Sequence, residues 1–323
     1  MVTGNARVPL SVLMLARNAR KYLPSAWASL QAQTWGDFEV VVVLDRSTDA
    51  TQDLLSDFAR SDRRLRIVEG PDAGLSAARH AGIAAARADH IALLDSDDTW
   101  EPSKLELQIA FLAENPDLVA SSTHGWYIGP SGKRLGNHAV GPASRAEFES
   151  LRRADRCICL LASGAVFLRS AALKCASPRQ SIDAVEDTLL FTRMADLGPI
   201  VNLPQPLVSY RVHGSGVSSR LLTRQRLLFR WIEHNLRARR MNEAEIDEEA
   251  YERLESRRGW ASRIQTGRGD LSAAWYRRAG ALLADRSWIA GVPLLFAAMV
   301  LDPGYCLRKL VSQFRRRHPT GMA

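Results

Sequence analysis

Two hydrophobic periodicities alternate over the first 125 residues. Apolar runs of strand length recur, and each is followed by a segment whose apolar residues are spaced three and four apart, as on one helix face. The runs predicted as strands are Val8–Ala16, Phe38–Leu44, Leu65–Glu69 and His90–Leu94. The segments predicted as helices are Tyr22–Leu30, Thr51–Ala59 with N-cap chemistry from Ser47, Thr48 and Asp49, Leu75–Arg87, and one opened by Glu101 and Pro102. This alternation predicts an α/β fold with a mostly parallel sheet flanked by helices.

The pattern is less regular further along the chain. Extended structure is predicted for Leu118–Ser122, for Cys159–Leu168 and for Pro199–Tyr210, with loop and short strands over Gly125–Gly141. Helices are predicted for Val185–Ala195, Arg220–Arg258, Asp270–Leu283 and Trp288–Val300. We place a domain boundary near Ser218, so that an α/β domain over residues 1–219 precedes a helical region over residues 220–323.

Composition excludes several classes of protein. The 323 residues are 46% hydrophobic and 24% charged, which is too apolar for a disordered chain. Four cysteines are too few and too unevenly placed for a disulfide scaffold. Cys157 and Cys159 lie two residues apart, but no His or Cys cluster completes a metal site with them. We therefore expect reduced, mostly buried thiols.

The net charge of +8 is concentrated at one end of the chain. From Arg220 onward there are 20 Lys and Arg residues against 11 Asp and Glu residues. This excess predicts an anionic partner, and a membrane surface and a solvated helical appendage stay open as interpretations. Nucleic acid is not expected, because no base-reading element is evident.

The longest apolar stretch, Trp288–Leu301, is shorter than the roughly 20 residues that span a bilayer. No signal peptide is evident either, so a cytoplasmic location is expected.

A group of acids follows the fourth predicted strand. Asp95, Ser96, Asp97 and Asp98 come directly after the run Ile91–Leu94. In open parallel sheets, ligands bind outside the carboxyl ends of the strands. Residues at i and i+2 of an extended segment point to one side, so Asp95 and Asp97 are expected to face one divalent cation together. The alternative is an acidic turn that caps the next helix.

Three longer stretches resemble the family 2 glycosyltransferases, which have the GT-A fold. They are SVLMLARNARKYLPSAWASLQAQTWGDFEVVVVLDRSTDAT, AGLSAARHAGIAAARADHIALLDSDDTWEPSKL and SIDAVEDTLLFTRMADLGPIVNLPQPLVSYRVHGSGVS. The resemblance covers roughly residues 8–219, and it implies a nucleotide-binding half over about 8–125 and an acceptor half over about 126–219. The motifs stand in the family's order and at its spacing.

The resemblance also implies roles for individual residues. It assigns a Mg2+ or Mn2+ ion to Asp95, Asp97 and Asp98, with His213 as a further contact to the cation or the diphosphate. It assigns the nucleotide-sugar donor to the following residues: Leu15, Ala16, Arg17, Asn18, Asp45, Arg79, Asp95 and Ser96. Asp187 matches the family's catalytic base, with Glu186, Tyr210 and Arg211 on the acceptor side. Without the resemblance, Arg79 would be interpreted as a solvated helix residue, and Glu186 and Asp187 as ordinary first-turn acids.

Two departures from the family pattern fall around the nucleotide base. Leu15, Ala16 and Arg17 stand where the family carries Pro or Thr, any residue, and Tyr before the Asn. Arg46 stands where the family has Gly, and Leu44 replaces the first of two aspartates. The resemblance therefore does not identify the base, although the cation and catalytic motifs are intact.

These observations predict an inverting glycosyltransferase that moves a sugar from a nucleotide diphosphate sugar to a glycan or lipid-linked acceptor in bacterial surface polysaccharide assembly. A non-catalytic nucleotide-binding scaffold that docks to a membrane or a partner through its basic region is the alternative. A nucleotidyltransferase is disfavoured because Leu10–Arg20 contains no glycine, and a dehydrogenase because no GxGxxG follows the first strand.

Overall fold

The computed structural model describes residues 10–179, 182–213, 221–284 and 287–317. The chain divides into two compact units, the first formed by Met1–Ile128 with Gly136–Arg211 and the second by Gly129–Leu135 with Val212–Ala323. Ser218, where the sequence places the domain boundary, lies outside the described residues, as do Val8 and Pro9 of the first predicted strand. That boundary stays a prediction.

Among the residues that the structure describes, ten strands form two sheets. The strands are β1 (Ser11–Ala16), β2 (Glu39–Leu44), β3 (Leu65–Glu69), β4 (His90–Leu93), β5 (Thr99–Trp100), β6 (Ala120–Ser121), β7 (Thr123–Ile128), β8 (Arg134–His138), β9 (Val166–Leu168) and β10 (Leu203–Arg211). The larger sheet has the order β3-β2-β1-β4-β9-β6. Its first four strands are parallel, and β9 runs antiparallel to both β4 and β6. The smaller sheet has the order β5-β10-β7-β8.

Helices cover both faces of the larger sheet, as the alternating pattern predicts. In the first unit they are α1 (Leu23–Gln31), α2 (Thr51–Ser61), α3 (Leu75–Ala85), α4 (Lys104–Glu114), α5 (Arg145–Arg153), α6 (Arg169–Cys175) and α7 (Glu186–Met194), with a 3-10 turn at Ala162–Gly164. Successive residues of β2 enter different cores: Val41 and Val43 pack in one, Val40 and Val42 in the other. A strand covered on both faces is continuously apolar for this reason.

The predicted N-cap of α2 is wrong, because Ala50 is the N-cap residue and no side chain caps the helix there. Asp49 lies one residue earlier, and its Oδ1 accepts a hydrogen bond from the backbone N–H of Thr51 at 3.0 Å. Ser47 and Thr48 contact the loop that follows β1, where the backbone N–H of Asn18 donates to Ser47 Oγ at 3.1 Å. Short polar side chains before this helix thus bond to nearby backbone groups and connect two neighbouring loops.

Several predicted elements differ from the structure. The helix after Pro102 begins at Lys104, and the fifth strand is reduced to the two residues of β6. By contrast, the loop and short strands predicted over Gly125–Gly141 are confirmed, since this segment holds most of β7 and all of β8. Cys159–Leu168 is not one strand, because the 3-10 turn at Ala162–Gly164 interrupts it before β9. Apolar content alone does not distinguish a buried turn from a buried strand.

Strand β10 is extended as predicted and carries two prolines. It pairs in parallel with β7 and antiparallel with β5. The register with β7 shifts on either side of Pro206. Proline has no backbone N–H to donate to a neighbouring strand, so pairing is interrupted there and resumes over Val208–Arg211.

The second unit is helical. Its described helices are α8 (Leu222–Arg240), α9 (Glu248–Ser256), α10 (Trp260–Ala284), α11 (Trp288–Leu301) and α12 (Pro303–Arg317). The carboxylate of Asp270 is 5% exposed and accepts hydrogen bonds from Arg226 Nε at 2.5 Å and from both terminal nitrogens of Arg230 at 3.0 Å. A buried acid with two arginine partners joins α8 to α10.

In the part of the chain that the structure describes, no single helix is long and apolar enough to cross a membrane. Taken together, the segments Trp288–Leu301 and Pro303–Leu310 are long and apolar enough, but the chain bends by 119° between them.

The four cysteines are free thiols; Cys175 and Cys306 are buried, whereas Cys157 and Cys159 are half-buried.

Replacing Gly125 by alanine should separate β7 from β10. A Cβ at this position would lie 2.5 Å from the backbone oxygen of Val208, so a strand must shift. We expect Gly125→Ala to lower the free energy of unfolding by about 1–3 kcal/mol, measured by denaturant titration. The matched control is Gly136→Ala in β8, where a Cβ would meet nothing within 4 Å. Equal stability of the two variants would contradict this account.

Candidate active site

The predicted site residues follow neighbouring parallel strands. Strands β2, β1 and β4 are adjacent in the larger sheet and run in the same direction, so their carboxyl ends share one edge. Asp45 follows β2, Asn18 lies two residues beyond β1, and Asp95 lies two residues beyond β4. This edge is where open parallel sheets bind ligands.

The acidic segment after β4 is a turn, not an extended strand. The backbone N–H of Asp98 donates to the backbone oxygen of Asp95 at 3.1 Å. The sequence predicts an extended segment in which Asp95 and Asp97 point to the same side. That expectation is wrong, because the segment is a turn. A residue outside the turn also holds it in place, because the backbone N–H of Asp95 donates to Ser163 Oγ at 3.1 Å. Asp95, Ser96 and Asp97 are half-buried in it.

Arg211, at the end of β10, holds this turn with two hydrogen bonds. Its backbone N–H donates to Asp98 Oδ1 at 2.7 Å, and its Nε donates to the backbone oxygen of Asp97 at 2.7 Å. Its guanidinium also lies over the ring of Tyr22, 4.6 Å from the centroid. Arg211, predicted on the acceptor side, thus connects the smaller sheet to the acidic turn.

Asp98 is the most buried of the acids in this turn. It is 1% exposed, and Oδ1 already accepts the hydrogen bond from Arg211. Burial raises the pKa of Asp98 well above its usual range, and the negative charges of Asp97 and Asp95 add to this. A carboxyl group in this position is better suited to fixing the turn than to binding a cation from solvent.

Helix α7 contributes two acids next to the turn, and α3 contributes the cation between them. Arg79 is 6% exposed, and its Nη2 donates to Glu186 Oε1 at 3.0 Å. Burial acts to lower the pKa of Arg79, but the carboxylates of Glu186, Asp95 and Asp187 raise it overall. Arg79 is therefore within electrostatic reach of three predicted site residues, including the predicted base.

Burial and neighbouring acids raise the pKa values of Asp95 and Glu186. Burial raises the pKa of Asp95 to about 6; Arg79 opposes this rise, and Asp97 and Asp187 add to it. Burial likewise raises the pKa of Glu186 to about 8, with Asp187 adding to the rise and Arg79 opposing it. Several carboxylates with one arginine leave an excess of negative charge at this edge of the sheet.

Asp187 lies in the first turn of α7, where the helix dipole favours negative charge. Its Oδ1 accepts a hydrogen bond from the backbone N–H of Thr188 at 2.6 Å. The side chain is half-buried and so remains partly accessible to solvent. An oriented, partly accessible carboxylate is the kind of group that accepts a proton from a bound hydroxyl.

The donor set has the chemistry that a Mg2+ or Mn2+ ion requires. Within the described ranges, no group of three or more His, Cys, Asp and Glu side chains is arranged to hold a metal ion. Magnesium-type sites commonly use one or two carboxylates and complete their coordination with substrate phosphates and water. The crowded carboxylates of Asp95 and Asp97 fit that kind of site, which a diphosphate would complete.

A hydrogen bond and an ion pair connect the loops that follow β1 and β2. Asn18 Oδ1 accepts a hydrogen bond from the backbone N–H of Thr48 at 2.8 Å. The carboxylate of Asp45 is 6% exposed, and its Oδ2 lies 3.7 Å from Arg17 Nη1. Arg17 itself is exposed, whereas Leu15 and Ala16 complete β1 and are partly or fully buried. The structure therefore brings Arg17 next to Asp45 and joins Asn18 to the loop that follows β2.

Tyr210 belongs to a group of three aromatic side chains on the smaller sheet. The ring of Tyr127 stacks on His138 with centroids 4.3 Å apart, and Tyr210 meets both rings edge-on, at 5.9 and 5.3 Å. Tyr127 and His138 were not singled out in the sequence, where their region is predicted as loop and short strands. His213 lies in the second unit, and its predicted contact with a cation stays a prediction.

Asp183 makes a capping contact with α3 that sequence reasoning missed. Its Oδ2 and Oδ1 accept hydrogen bonds from the backbone N–H groups of Leu75 and Ser76, both at 2.9 Å. It thus caps the start of α3, more than 100 residues away in the chain. The letters DAVE, from Asp183 to Glu186, look like a capping box for α7 itself, but Val185 is the N-cap of α7 and no side chain caps it.

The fold is shared with solved glycosyltransferase structures. A mannosyltransferase from Pyrobaculum calidifontis, solved in complex with GDP-Man and Mn2+, matches 93% of this chain and 88% of its own, with a TM-score of 0.55 and 19% sequence identity. This likeness confirms the predicted GT-A type α/β fold. The family model described as Glycosyl transferase family 2 matches residues 11–175, just over half of the chain. The chain belongs to this family.

Two curated relatives indicate how far the sequence similarity extends. An uncharacterized glycosyltransferase of Nostoc sp. (strain PCC 7120) is 29% identical over 214 residues, which are 64% of this chain and 65% of the relative. The hyaluronan synthase of Pasteurella multocida is 32% identical over 132 residues, which are 41% of this chain and 14% of the synthase. The matches span from about a third to two thirds of the length of the first curated relatives.

Replacing Asp183 by alanine should destabilise the first unit. Two backbone N–H groups at the start of α3 would lose their acceptor, so we expect the free energy of unfolding to fall by about 1–2 kcal/mol. The measurement is denaturant unfolding followed by circular dichroism. Asp37→Ala is the control, because Asp37 is exposed at the end of a loop. If both variants unfold at the same denaturant concentration as the unmodified protein, the capping contact does not contribute to stability.

Proposed function

We propose that the chain is an inverting glycosyltransferase in which Asp187 is the general base. The observation that carries the proposal is the convergence of Asp187 with Asp95 around Arg79, although these residues come from three separate segments. Inversion requires a base on the face of the sugar opposite the leaving diphosphate. Asp187 is a half-buried carboxylate beside the acidic turn, where we place the diphosphate, and it is suited to take the proton of an acceptor hydroxyl.

The donor is a nucleotide diphosphate sugar whose diphosphate lies at the acidic turn. Asp95 and Asp97 would hold a Mg2+ or Mn2+ ion, which when bound neutralises the charge that develops on the departing diphosphate. Arg79 keeps Glu186 and its neighbouring acids in place, and its Nε is buried without a hydrogen-bond partner among the described residues. Asp45, with Arg17 and Asn18, would contact the nucleoside.

The acceptor is a hydroxyl of a glycan or of a lipid-linked saccharide, in the assembly of a bacterial surface polysaccharide. The similarity to a hyaluronan synthase supports this class of product. The aromatic group of Tyr127, His138 and Tyr210 supplies flat apolar faces next to Arg211, which suits contacts with sugar rings. We place the reaction at the cytoplasmic face of the cell membrane, where both nucleotide sugars and lipid carriers are accessible.

The donor and the cation can be tested together. The purified chain is incubated with UDP-, dTDP- and GDP-sugars and Mn2+ or Mg2+, and release of the nucleoside diphosphate is measured. We expect slow release from one donor, lost in EDTA and in Asp97→Ala. Release that continues in EDTA and in the variant would remove the cation from the proposal. If no donor is hydrolysed and no nucleotide raises the melting temperature, the transferase proposal fails.

The role of Asp187 is tested with the isosteric variant Asp187→Asn. The amide oxygen of asparagine can still accept the hydrogen bond from Thr188, so the fold and donor binding should persist. Transfer to an acceptor should slow by about 100- to 10,000-fold, as expected when a general base is lost. Donor affinity is measured by calorimetry alongside the transfer rate. A collapse of donor affinity instead would make Asp187 a binding residue.

A further inference from the structure

Helix α11 exposes most of its large residues, and the two residues that it buries are small. It contains fourteen residues and none of them is charged. Gly291 and Ala298 are buried, whereas Ile289 is 93% exposed, Phe296 69% and Val300 60%. A helix of a water-soluble domain normally buries its large apolar side chains and exposes polar ones. This arrangement is the reverse of that rule.

The orientation of α11 is determined by its contact with α10. Ser272 Oγ donates to the backbone oxygen of Ala298 at 2.8 Å, and Arg268 Nη2 donates to the backbone oxygen of Leu301 at 3.1 Å. At the other end, a Cβ on Gly291 would lie 2.8 Å from the side chain of Leu283. The small residues permit this close approach, so α11 cannot rotate its large side chains inward without losing it.

The exposed side chains form one continuous stripe. Ile289, Val292, Phe296 and Val300 are spaced three or four residues apart, which places them on one face of the helix. Trp288 precedes the stripe and is 61% exposed. An apolar face of this kind, with an aromatic residue at its end, is typical of helices that lie in the boundary between lipid headgroups and acyl chains.

A basic helix follows this apolar one. The chain bends by 119° and continues as α12, in which Arg308 and Lys309 are exposed. From Arg308 to the end of the chain the sequence has five Lys and Arg residues and no acid. A second copy of the same chain would bring two positively charged regions together, whereas anionic lipid headgroups would complement them.

The length of α11 decides how it would meet a bilayer. Fourteen helical residues extend roughly 21 Å, which is less than the hydrocarbon thickness of about 30 Å. The helix is therefore suited to lying in the interface, with its apolar stripe below the headgroups. Exposed cations of α12 would remain at the level of the phosphates.

We propose that the outward face of α11, formed by Ile289, Val292, Phe296 and Val300, inserts into the interface of a membrane that contains anionic lipids. Arg308 and Lys309 contact the headgroups. The proposal names the membrane-contact surface for the glycosyltransferase proposed above and rests on that function for its biological setting. The lipid contact itself depends on the second unit and not on the acidic turn.

The test compares vesicles of phosphatidylcholine with vesicles of phosphatidylcholine and phosphatidylglycerol, using co-sedimentation of the full chain. We expect binding to the anionic vesicles that weakens with added salt. The double variant Ile289→Ser/Phe296→Ser should reduce the partition coefficient by at least about tenfold. Arg308→Gln/Lys309→Gln should reduce binding to anionic vesicles and remove most of its salt dependence.

Leu197→Ser/Leu254→Ser is the matched control, because both leucines are exposed outside α11. It should bind vesicles like the unmodified chain. Unchanged binding by the Ile289/Phe296 variant would overturn the proposal, as would absence of binding to either vesicle. A dimer in light scattering that the Ile289/Phe296 variant abolishes, without vesicle binding, would assign the face to a second copy and equally overturn it.

Nucleoside diphosphate release, measured on the same preparations, separates the two proposals. Release without vesicle binding refutes the membrane face and leaves the transferase function standing. Vesicle binding without release or nucleotide binding refutes the transferase function and leaves the membrane face. Because the substituted side chains are exposed, the variants should retain the melting temperature of the unmodified chain, and this is measured first.

Discussion

The candidate site depends on the need to balance buried negative charge. Asp95, Asp187 and Glu186 are brought together by β4 and α7, and Arg79 on α3 is the cation that interacts with all three. Removing one partner from a buried ion pair is costly, because the other charge then remains without compensation. Arg79 is therefore required for the acids to coexist. One arginine does not balance all of these carboxylates, and a divalent cation would neutralise the remaining negative charge.

The same constraint explains why the acidic turn is held from several directions. Ser163 contacts its backbone at Asp95, and Arg211 contacts both Asp97 and Asp98. Behind the turn, Trp100 Nε1 donates to the backbone oxygen of Ser163 at 2.6 Å. The ammonium group of Lys104 lies 3.8 Å from the ring centroid of Trp100, and burial lowers its pKa well below the usual value. Repelling carboxylates stay in one geometry because neighbouring groups fix their backbone.

Local patterns predicted the first four strands of the larger sheet with closer bounds than β6, β9 or the short strands of the smaller sheet. The strands β1 to β4 are continuous apolar runs, so their hydrophobic pattern and the fold are consistent. Strand β8 lies in a polar, glycine-rich segment, and its pairing is determined by contact with β7 rather than by its own composition. For the same reason, the partner of Asp183 was unpredictable, because its hydrogen bonds go to Leu75 and Ser76 in a distant segment. The resemblance assigned Arg79 to the donor, Glu186 to the acceptor side and Asp187 to the base, and the hydrogen bond between Arg79 and Glu186 was not predicted.

One departure from the family pattern, Arg46, lies in the loop after β2 and makes specific contacts there. Arg46 adopts a φ of 34°, a left-handed conformation that glycine accommodates more easily than arginine. Its Nη1 lies 2.8 Å from Asp72 Oδ2, and the backbone N–H of Asp72 donates to Asp45 Oδ1 at 3.1 Å. The arginine side chain therefore makes an ion pair that glycine could not make, and this pair links it to the carboxylate predicted to contact the nucleoside. The contacts of Arg46 thus reach Asp45, for which we propose a contact with the nucleoside, through Asp72.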